Sequence, residues 1–242
     1  MIIIPARLKS TRFPNKVLEK ICGIPMVIRV ANLAKEIDRV VVACDCSEIL
    51  EVCKSHKIES VLTSQTHESG TDRIAECARI LRVLDDEIII NLQGDEPFLE
   101  LEVIEKLKNL MESYRQKNGI LPFMGSCAKK ITEEEAENPN LVKVILNKNQ
   151  EAIYFSRSKI PYNRENAKGV EYYGHLGIYA FSGASLQEFC KLPQSMLENI
   201  EKLEQLRAIE NAKTIVIAKV ESRSVGIDTK EDLQRALEIF CN

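Results

Sequence analysis

Two short runs near the start of the chain, Met1 to Ile4 and Val40 to Ala43 within Arg39–Ala43, are apolar from end to end. They are too short for helices. A strand without alternation is one covered on both faces, the condition of a parallel sheet packed between helices. What lies between fits that arrangement. Pro25 opens a helix over Ile24–Ile37, with Met26, Val27, Val30, Leu33, Ala34 and Ile37 at helical spacing. Ser47 is placed to cap a helix running to about His56, and Ser60–Thr63 reads as a third strand. A loop over Ser64–Arg73 leads into a helix ending near Leu84, and Glu87–Leu92 is the fourth strand. Strand alternating with helix four times predicts an α/β fold with a doubly wound, mostly parallel sheet.

The second half is less regular. An amphipathic helix is expected over Leu101–Lys117, then strands over Leu121–Ala128 and Leu141–Leu146. Asn163–Lys168 reads as a polar loop and Tyr172–Phe181 as a long antiparallel strand. Ser182-Gly183 starts a helix. Pro193–Glu210 contains another, with Leu197, Ile200, Leu203, Leu206 and Ile209 on one face. A strand over Thr214–Val220 and a last helix from Gly226–Thr229 to about Phe240 complete the reading. Repeats and linker composition are absent, so residues 1–242 are expected to form one domain.

Composition narrows the function. A net charge of −3 disfavours a general nucleic-acid binder, and no apolar run is long enough to span a membrane. The N-terminus lacks the charged region and cleavage site of a signal peptide, and eight scattered cysteines without a Cys-x-x-Cys pair read as reduced thiols of a cytoplasmic protein. The P-loop and dinucleotide fingerprints are missing, as is His-Glu-x-x-His.

The first strand runs into a loop, Arg7 to Lys16, holding Arg7, Lys9, Ser10, Thr11, Arg12 and Lys16 and no acid. At the carboxyl edge of such a sheet this is either a solvated basic loop or a phosphate cradle. Gln93-Gly94-Asp95-Glu96-Pro97 follows the fourth strand, which places Asp95 at the same edge as a hard oxygen donor. Asp228 lies in a short loop before the last helix, where an Asp is most often an N-cap. Two acids and a cationic loop at one edge favour a metal–triphosphate site over these separate readings.

These stretches belong to a longer series. Ile-Pro-Ala-Arg7 continues to Ser-Thr-Arg-x-Pro-x-Lys16, and Ser-Gly-Thr-Asp-Arg73 and Asn-Leu-Gln-Gly-Asp-Glu-Pro97 follow. Then come Tyr-Phe-Ser-Arg157-x-x-Ile-Pro, His175-Leu-Gly-Ile-Tyr179, Glu-x-Leu-Glu204-Gln-Leu-Arg and Gly-Ile-Asp228-Thr. Seven motifs in register along the whole chain closely resemble the 3-deoxy-manno-octulosonate cytidylyltransferases (CMP-Kdo synthetases), a branch of the nucleotidyltransferase family. The resemblance implies a nucleotidyltransferase-type sheet with a small antiparallel portion in the second half that binds sugar and dimerises. It implies that CMP passes from CTP to the anomeric hydroxyl of 3-deoxy-D-manno-octulosonate (Kdo), with release of pyrophosphate, activating Kdo for lipopolysaccharide biosynthesis. It also implies Mg²⁺ as cofactor and a homodimer, for which Tyr154, Phe155, Tyr172 and Tyr173 are the expected contact, the alternative being that these aromatics are core. A sialic acid or related nonulosonate is the alternative acceptor.

By the same resemblance, Arg7, Arg12 and Lys16 hold the triphosphate, Ser10 donates to one of its oxygens, and Asp95 and Asp228 hold Mg²⁺. Ala6, Gly70 and Arg73 face the cytosine and Gln93 the ribose or sugar, while Arg157, His175, Tyr179, Glu204 and Gln205 form the sugar-acid site. The sequence departs from the family pattern in places: Pro14-Asn-Lys-Val17 stands where Pro-Gly-Lys-Pro is usual. Asn15 stands where Gly is usual, Cys44 where Thr is common, and Lys230 where Pro is usual. Asn tolerates a left-handed backbone, so Asn15 is expected to replace that Gly.

Overall fold

β1 (Ile2–Ala6) is buried at all five positions. A 3₁₀ turn (Lys16–Leu18) and a small hairpin, β2 (Lys20–Ile21) with β3 (Ile24–Pro25), follow it. The hairpin turn places Cys22 at φ 50° and Gly23 at φ 83°, the left-handed pair that a two-residue connection requires. Then come α1 (Met26–Ala34), β4 (Val40–Cys44), α2 (Ser47–Ser55), β5 (Glu59–Leu62), α3 (Gly70–Ile80) and β6 (Ile88–Asn91). The structure, a computed structural model, describes residues 1–8, 13–224, 226–227 and 229–240. Ser10, Arg12 and Asp228 of the expected site therefore lie outside the described residues.

Met1–Glu105 and Ser222–Asn242 form one compact unit, and Lys106–Glu221 forms a second. In the first, β1 pairs in parallel with β4 on one side and β6 on the other, and β5 adds in parallel to β4. The chain steps from β1 to β4 to β5, then returns past β1 to β6. Right-handed crossovers send α3 to the face opposite α1 and α2, which is the double winding. The reversal between β1 and β6 is a topological switch point, and it opens a crevice at the carboxyl ends of these two strands. The last helix (Lys230–Phe240) belongs to this unit. Ala236 joins Phe13, Met26, Phe98 and Ile227 in a buried cluster that ties loop, α1 and C-terminal segment together.

α4 (Leu101–Asn118) leads into the second unit, whose elements are β7 (Met124–Ile131), α5 (Glu133–Ala136), β8 (Lys143–Leu146), β9 (Ala152–Ser156), β10 (Tyr172–Ser182), α6 (Gly183–Phe189), α7 (Met196–Glu201), α8 (Leu206–Glu210) and β11 (Ile215–Val220). β11 runs parallel to β7, whereas β10 is antiparallel to β7 and β8, and β9 is antiparallel to β8. α4 lies flush on β7: a Cβ at Gly125 would meet Met111 Sδ at 2.6 Å. The fold is thus mixed α/β, with a mostly parallel sheet flanked by helices and an antiparallel portion in the second half, as expected.

Three local readings change. The Ser-Gly-Thr-Asp-Arg stretch is not loop throughout: Ser69 caps α3 by accepting from the Asp72 N–H at 3.0 Å, so Gly70 and Arg73 are helical. α2 begins at Ser47 itself, with Cys46 at the cap position. The single helix expected within Pro193–Glu210 is two short ones, because Lys202 turns to φ 54° and breaks the helical hydrogen bonding. Glu204 and Gln205 therefore lie in the intervening turn and not on a helix face.

Candidate active site

The loops leaving β1 and β6 meet at the switch point. Lys16 Nζ lies 2.6 Å from Asp95 Oδ2, with side-chain exposures of 10% and 31%. Around this pair is a polar cleft of about 320 Å³ whose lining includes Ala6, Arg7, Gly70, Arg73 and Gln93. The seven described residues expected to serve the nucleotide or its metal thus share one cleft, of a volume that small-molecule sites have.

The basic loop is pinned where it begins and where it ends. The Leu8 N–H donates to Asp45 Oδ1 at 3.1 Å, and the Asn15 N–H donates to the Leu8 carbonyl at 3.3 Å. Asn15 adopts φ 57°, ψ 20°, the left-handed conformation a glycine would take without strain, and Lys16 opens the 3₁₀ turn that follows. Gly94 supplies the close approach on the β6 side, since a Cβ there would sit 3.3 Å from the Pro5 carbonyl oxygen.

Arg73 is a wall of the cleft and not a free arm. Its Nη1 donates to Thr63 Oγ1 at 2.7 Å and to the Ser64 carbonyl at 3.1 Å, and Nη2 lies 3.9 Å from Asp45 Oδ2. Gln93 Nε2 donates to Asn91 Oδ1 at 3.1 Å. Cys44 is fully buried, and burial pushes its thiol up to about 11, too high for a nucleophile near neutral pH.

The acids of Gln-Gly-Asp-Glu-Pro, and Glu100 just beyond it, divide the work. Glu96 accepts from Ser224 Oγ at 2.8 Å, and Glu100 accepts from Ser222 Oγ and the Arg223 N–H, both at 2.7 Å. The Ile227 N–H donates to the Asp95 carbonyl at 3.0 Å. That leaves the Asp95 carboxylate in the cleft, already paired with a cation. A partly exposed carboxylate is a donor of the kind Mg²⁺ takes, the ion using one or two carboxylates and completing its shell with water and phosphate.

The second unit gathers the expected sugar-acid residues. Arg157, after β9, donates from Nε to the Glu201 carbonyl at 2.8 Å and from Nη1 to the Pro139 carbonyl at 3.0 Å. Its Nη2 has no hydrogen bond among the described residues. Glu201 accepts from the Arg157 N–H at 2.9 Å and from Ser156 Oγ at 2.6 Å. The fully buried Lys143 donates to the Arg157 carbonyl at 2.6 Å and to the Asn138 carbonyl at 2.8 Å, and burial lowers its pKa. Tyr179 O–H donates to Gln205 Oε1 at 3.2 Å, and burial first, then Glu204, raises the phenol and keeps it protonated. Gln205 is 2% exposed, and its Nε2 is buried without a partner. An orphaned buried amide is costly, and a bound acceptor would satisfy it. Glu204 lies 3.8 Å from Arg207. His175 packs edge-on against Phe155, with ring centroids 4.9 Å apart, and 5.4 Å from the ring of Tyr179.

Sequence reasoning passed over the supports of this arrangement. Asp45 ends a strand, as Asp95 does, and the same edge argument reaches it. His67 lines the cleft and meets Glu76 at 2.5 Å, and Glu76 also accepts from the Ser64 N–H at 2.8 Å. Lys143, Glu201 and Ser126 carry no local signal, because their partners lie 14, 44 and 49 residues away.

The chain belongs to the cytidylyltransferase family, whose description matches residues 1–215. Within that family it is similar to enzymes named for one sugar acid. The 3-deoxy-manno-octulosonate cytidylyltransferase of Wolinella succinogenes is 56% identical over 242 residues, covering 99% of each chain. The protein of the same name from Helicobacter pylori strain P12 is 54% identical over 243 residues, covering 99% of this chain and 97% of the relative. Among solved structures, a CMP:2-keto-3-deoxy-manno-octonic acid synthetase complexed with CTP superposes with a TM-score of 0.91 at 37% identity, covering 99% of this chain and 97% of that one.

Proposed function

We propose that this protein transfers CMP from CTP to the anomeric hydroxyl of Kdo, releasing pyrophosphate. The observation that carries the reading is the Lys16–Asp95 pair at the carboxyl ends of β1 and β6, in a cleft lined by the remaining described residues of the expected nucleotide site. The names of the relatives and the CTP-bound neighbour support it.

Transfer of a phosphoryl-type group asks mainly for positioning and charge neutralisation. In this reading Arg7, Arg12 and Lys16 hold the triphosphate and stabilise the departing pyrophosphate, with Ser10 donating to an oxygen. Ala6, Gly70 and Arg73 border the cytosine, and Gln93 lies toward the ribose. Asp95 and Asp228 would hold Mg²⁺, which when bound supplies Lewis acidity and charge neutralisation. Arg157 meets the Kdo carboxylate through its remaining N–H groups, and His175, Tyr179, Glu204 and Gln205 meet the hydroxyls. A homodimer built on the second unit and a cytoplasmic location complete the proposal, with Phe155 and Tyr172 removed from the expected contact because both are buried in the protomer's own core. Among the described residues no helix is long and apolar enough to cross a membrane.

Pyrophosphate release with CTP and Mg²⁺, measured against Kdo, a sialic acid and related nonulosonates, tests the assignment. The expected result is turnover with Kdo, lost with EDTA and restored by Mg²⁺. Turnover with a nonulosonate and none with Kdo overturns it. Light scattering should give the mass of a dimer at micromolar concentration.

A further inference from the structure

Ser126 on β7 is fully buried, and its single hydroxyl has three close neighbours that could accept a proton. They are His175 Nε2 at 2.8 Å, the Ile178 carbonyl at 2.8 Å and the Leu176 carbonyl at 3.3 Å. The two carbonyls converge because the pairing of β10 with β7 slips between Leu176 and Tyr179, so that both oxygens point at one side chain. A carbonyl can only accept. If Ser126 gave its proton to His175, two carbonyl oxygens would face a hydroxyl oxygen with no hydrogen between them. Only one arrangement places a proton in each short contact: Ser126 O–H to the Ile178 carbonyl, and His175 Nε2–H to Ser126 Oγ. Burial holds the imidazole neutral, with its pKa lowered to about 3, so Nδ1 then carries a lone pair. Nδ1 has no partner among the described residues.

We propose that Ser126 is a positioning residue that fixes His175 as the neutral Nε2–H tautomer, so that Nδ1 serves as a hydrogen-bond acceptor for a hydroxyl of the sugar acid. This rests on the assignment of the second unit to the sugar acid. It gives His175 a task distinct from its neighbours: a neutral nitrogen lone pair repels a carboxylate and takes a hydroxyl donor, whereas Arg157 and Gln205 present N–H groups. His175 thus selects for a hydroxyl, and the carboxylate is left to Arg157.

The test is side-chain ¹⁵N spectroscopy of His175 in the full-length protein, with kinetics on three variants. Wild type should show a protonated Nε2 and a bare Nδ1. Ser126→Ala should shift His175 toward exchanging tautomers and raise KM for Kdo roughly 2- to 10-fold, the worth of one neutral hydrogen bond, with KM for CTP unchanged. His175→Asn, whose amide oxygen can occupy the place of Nδ1, should retain more Kdo affinity than His175→Gln, whose amide reaches toward Ser126. A proton on Nδ1, or an imidazolium, in the wild-type spectrum overturns the proposal even if Ser126→Ala fails to fold, and leaves the sugar-acid assignment standing. Protonated Nε2 with both His175 variants at wild-type KM for Kdo overturns it differently, by removing the sugar-acid site on which it rests.

Discussion

In the cleft of the first unit, Lys16 and Asp95 face each other where water still reaches, and the basic loop is held by main-chain hydrogen bonds at Leu8 and Asn15. In the second unit most of the full charges are committed to the protein itself, Arg157 keeping one Nη2 without a hydrogen bond among the described residues. Arg207 donates to Glu198 through Nε at 2.9 Å and Nη2 at 2.6 Å, and Lys143 is spent on two carbonyls. What remains there for a ligand is largely neutral: Gln205 Nε2, the Tyr179 phenol and the His175 ring. The contrast follows from the two substrates proposed. A triphosphate is a polyanion that arrives with metal and water, and charges lining an open polar cleft can meet it. A sugar acid presents one carboxylate, left to Arg157, and many hydroxyls, which neutral groups in fixed directions can sort.

On that contrast, removing a charge committed to the protein in the second unit should act on stability, whereas removing a charge of the first unit's cleft, or Arg157, should act on activity. The largest effect is expected at the Glu198–Arg207 pair. Arg207→Met leaves Glu198 buried without its partner and should lower unfolding free energy by about 3–5 kcal/mol in denaturant titration. Adding Glu198→Leu should recover much of the loss. A single variant with wild-type stability would show the pair to be solvated.

Asp95→Ala should lower kcat roughly 100- to 1,000-fold, the scale for losing one preorganised electrostatic group, while thermal unfolding barely moves. A comparable loss of stability would instead make Asp95 a structural partner of Lys16. Lys16→Ala should act on CTP, with a loss of about 10- to 150-fold in kcat/KM for the nucleotide.

Arg157 sharpens the division. Arg157→Ala should raise KM for Kdo about 10- to 150-fold and leave KM for CTP near wild type. Arg157→Lys keeps the charge but cannot bond both the Glu201 and Pro139 carbonyls as the guanidinium does, so its defect should have the same direction. Steady-state kinetics with each substrate varied in turn decides this, and a defect confined to CTP would move Arg157 to the phosphate site.

The last test is one of pH. His175 has a folded pKa lowered to about 3 against an ordinary 6.5, so between these values the unfolded chain binds more protons than the folded one. The corresponding stability is complete above pH 6.5 and diminishes as pH falls toward 3. His175→Gln should flatten the stability profile in that window alone. Equal slopes for variant and wild type would mean that the ring is not held neutral.

The chain's own order of residues determined the class of fold, because apolar runs such as Met1 to Ile4 and Val40 to Ala43 can be satisfied only between two helical layers. It also determined where the nucleotide residues gather, since the carboxyl edge of a parallel sheet collects every loop that follows a strand, and Lys16, Gly70 and Asp95 each follow one. Asn15 shows how far local chemistry reaches: a residue tolerant of the left-handed backbone stands where that backbone occurs. The residues proposed for the sugar acid were marked in the sequence only by motif resemblance, and their hydrogen-bond supports not at all. A helical pattern of leucines and isoleucines ran through Lys202, and nothing local revealed the break that turns Gln205 inward. Ser126 and His175 are 49 residues apart, and the slip in β10 that aims two carbonyls at one hydroxyl exists only once two strands are paired. Periodicity reports which face of an element is covered. Hydrogen-bond direction inside a buried cluster depends on groups brought together from distant positions, and tertiary structure alone decides it.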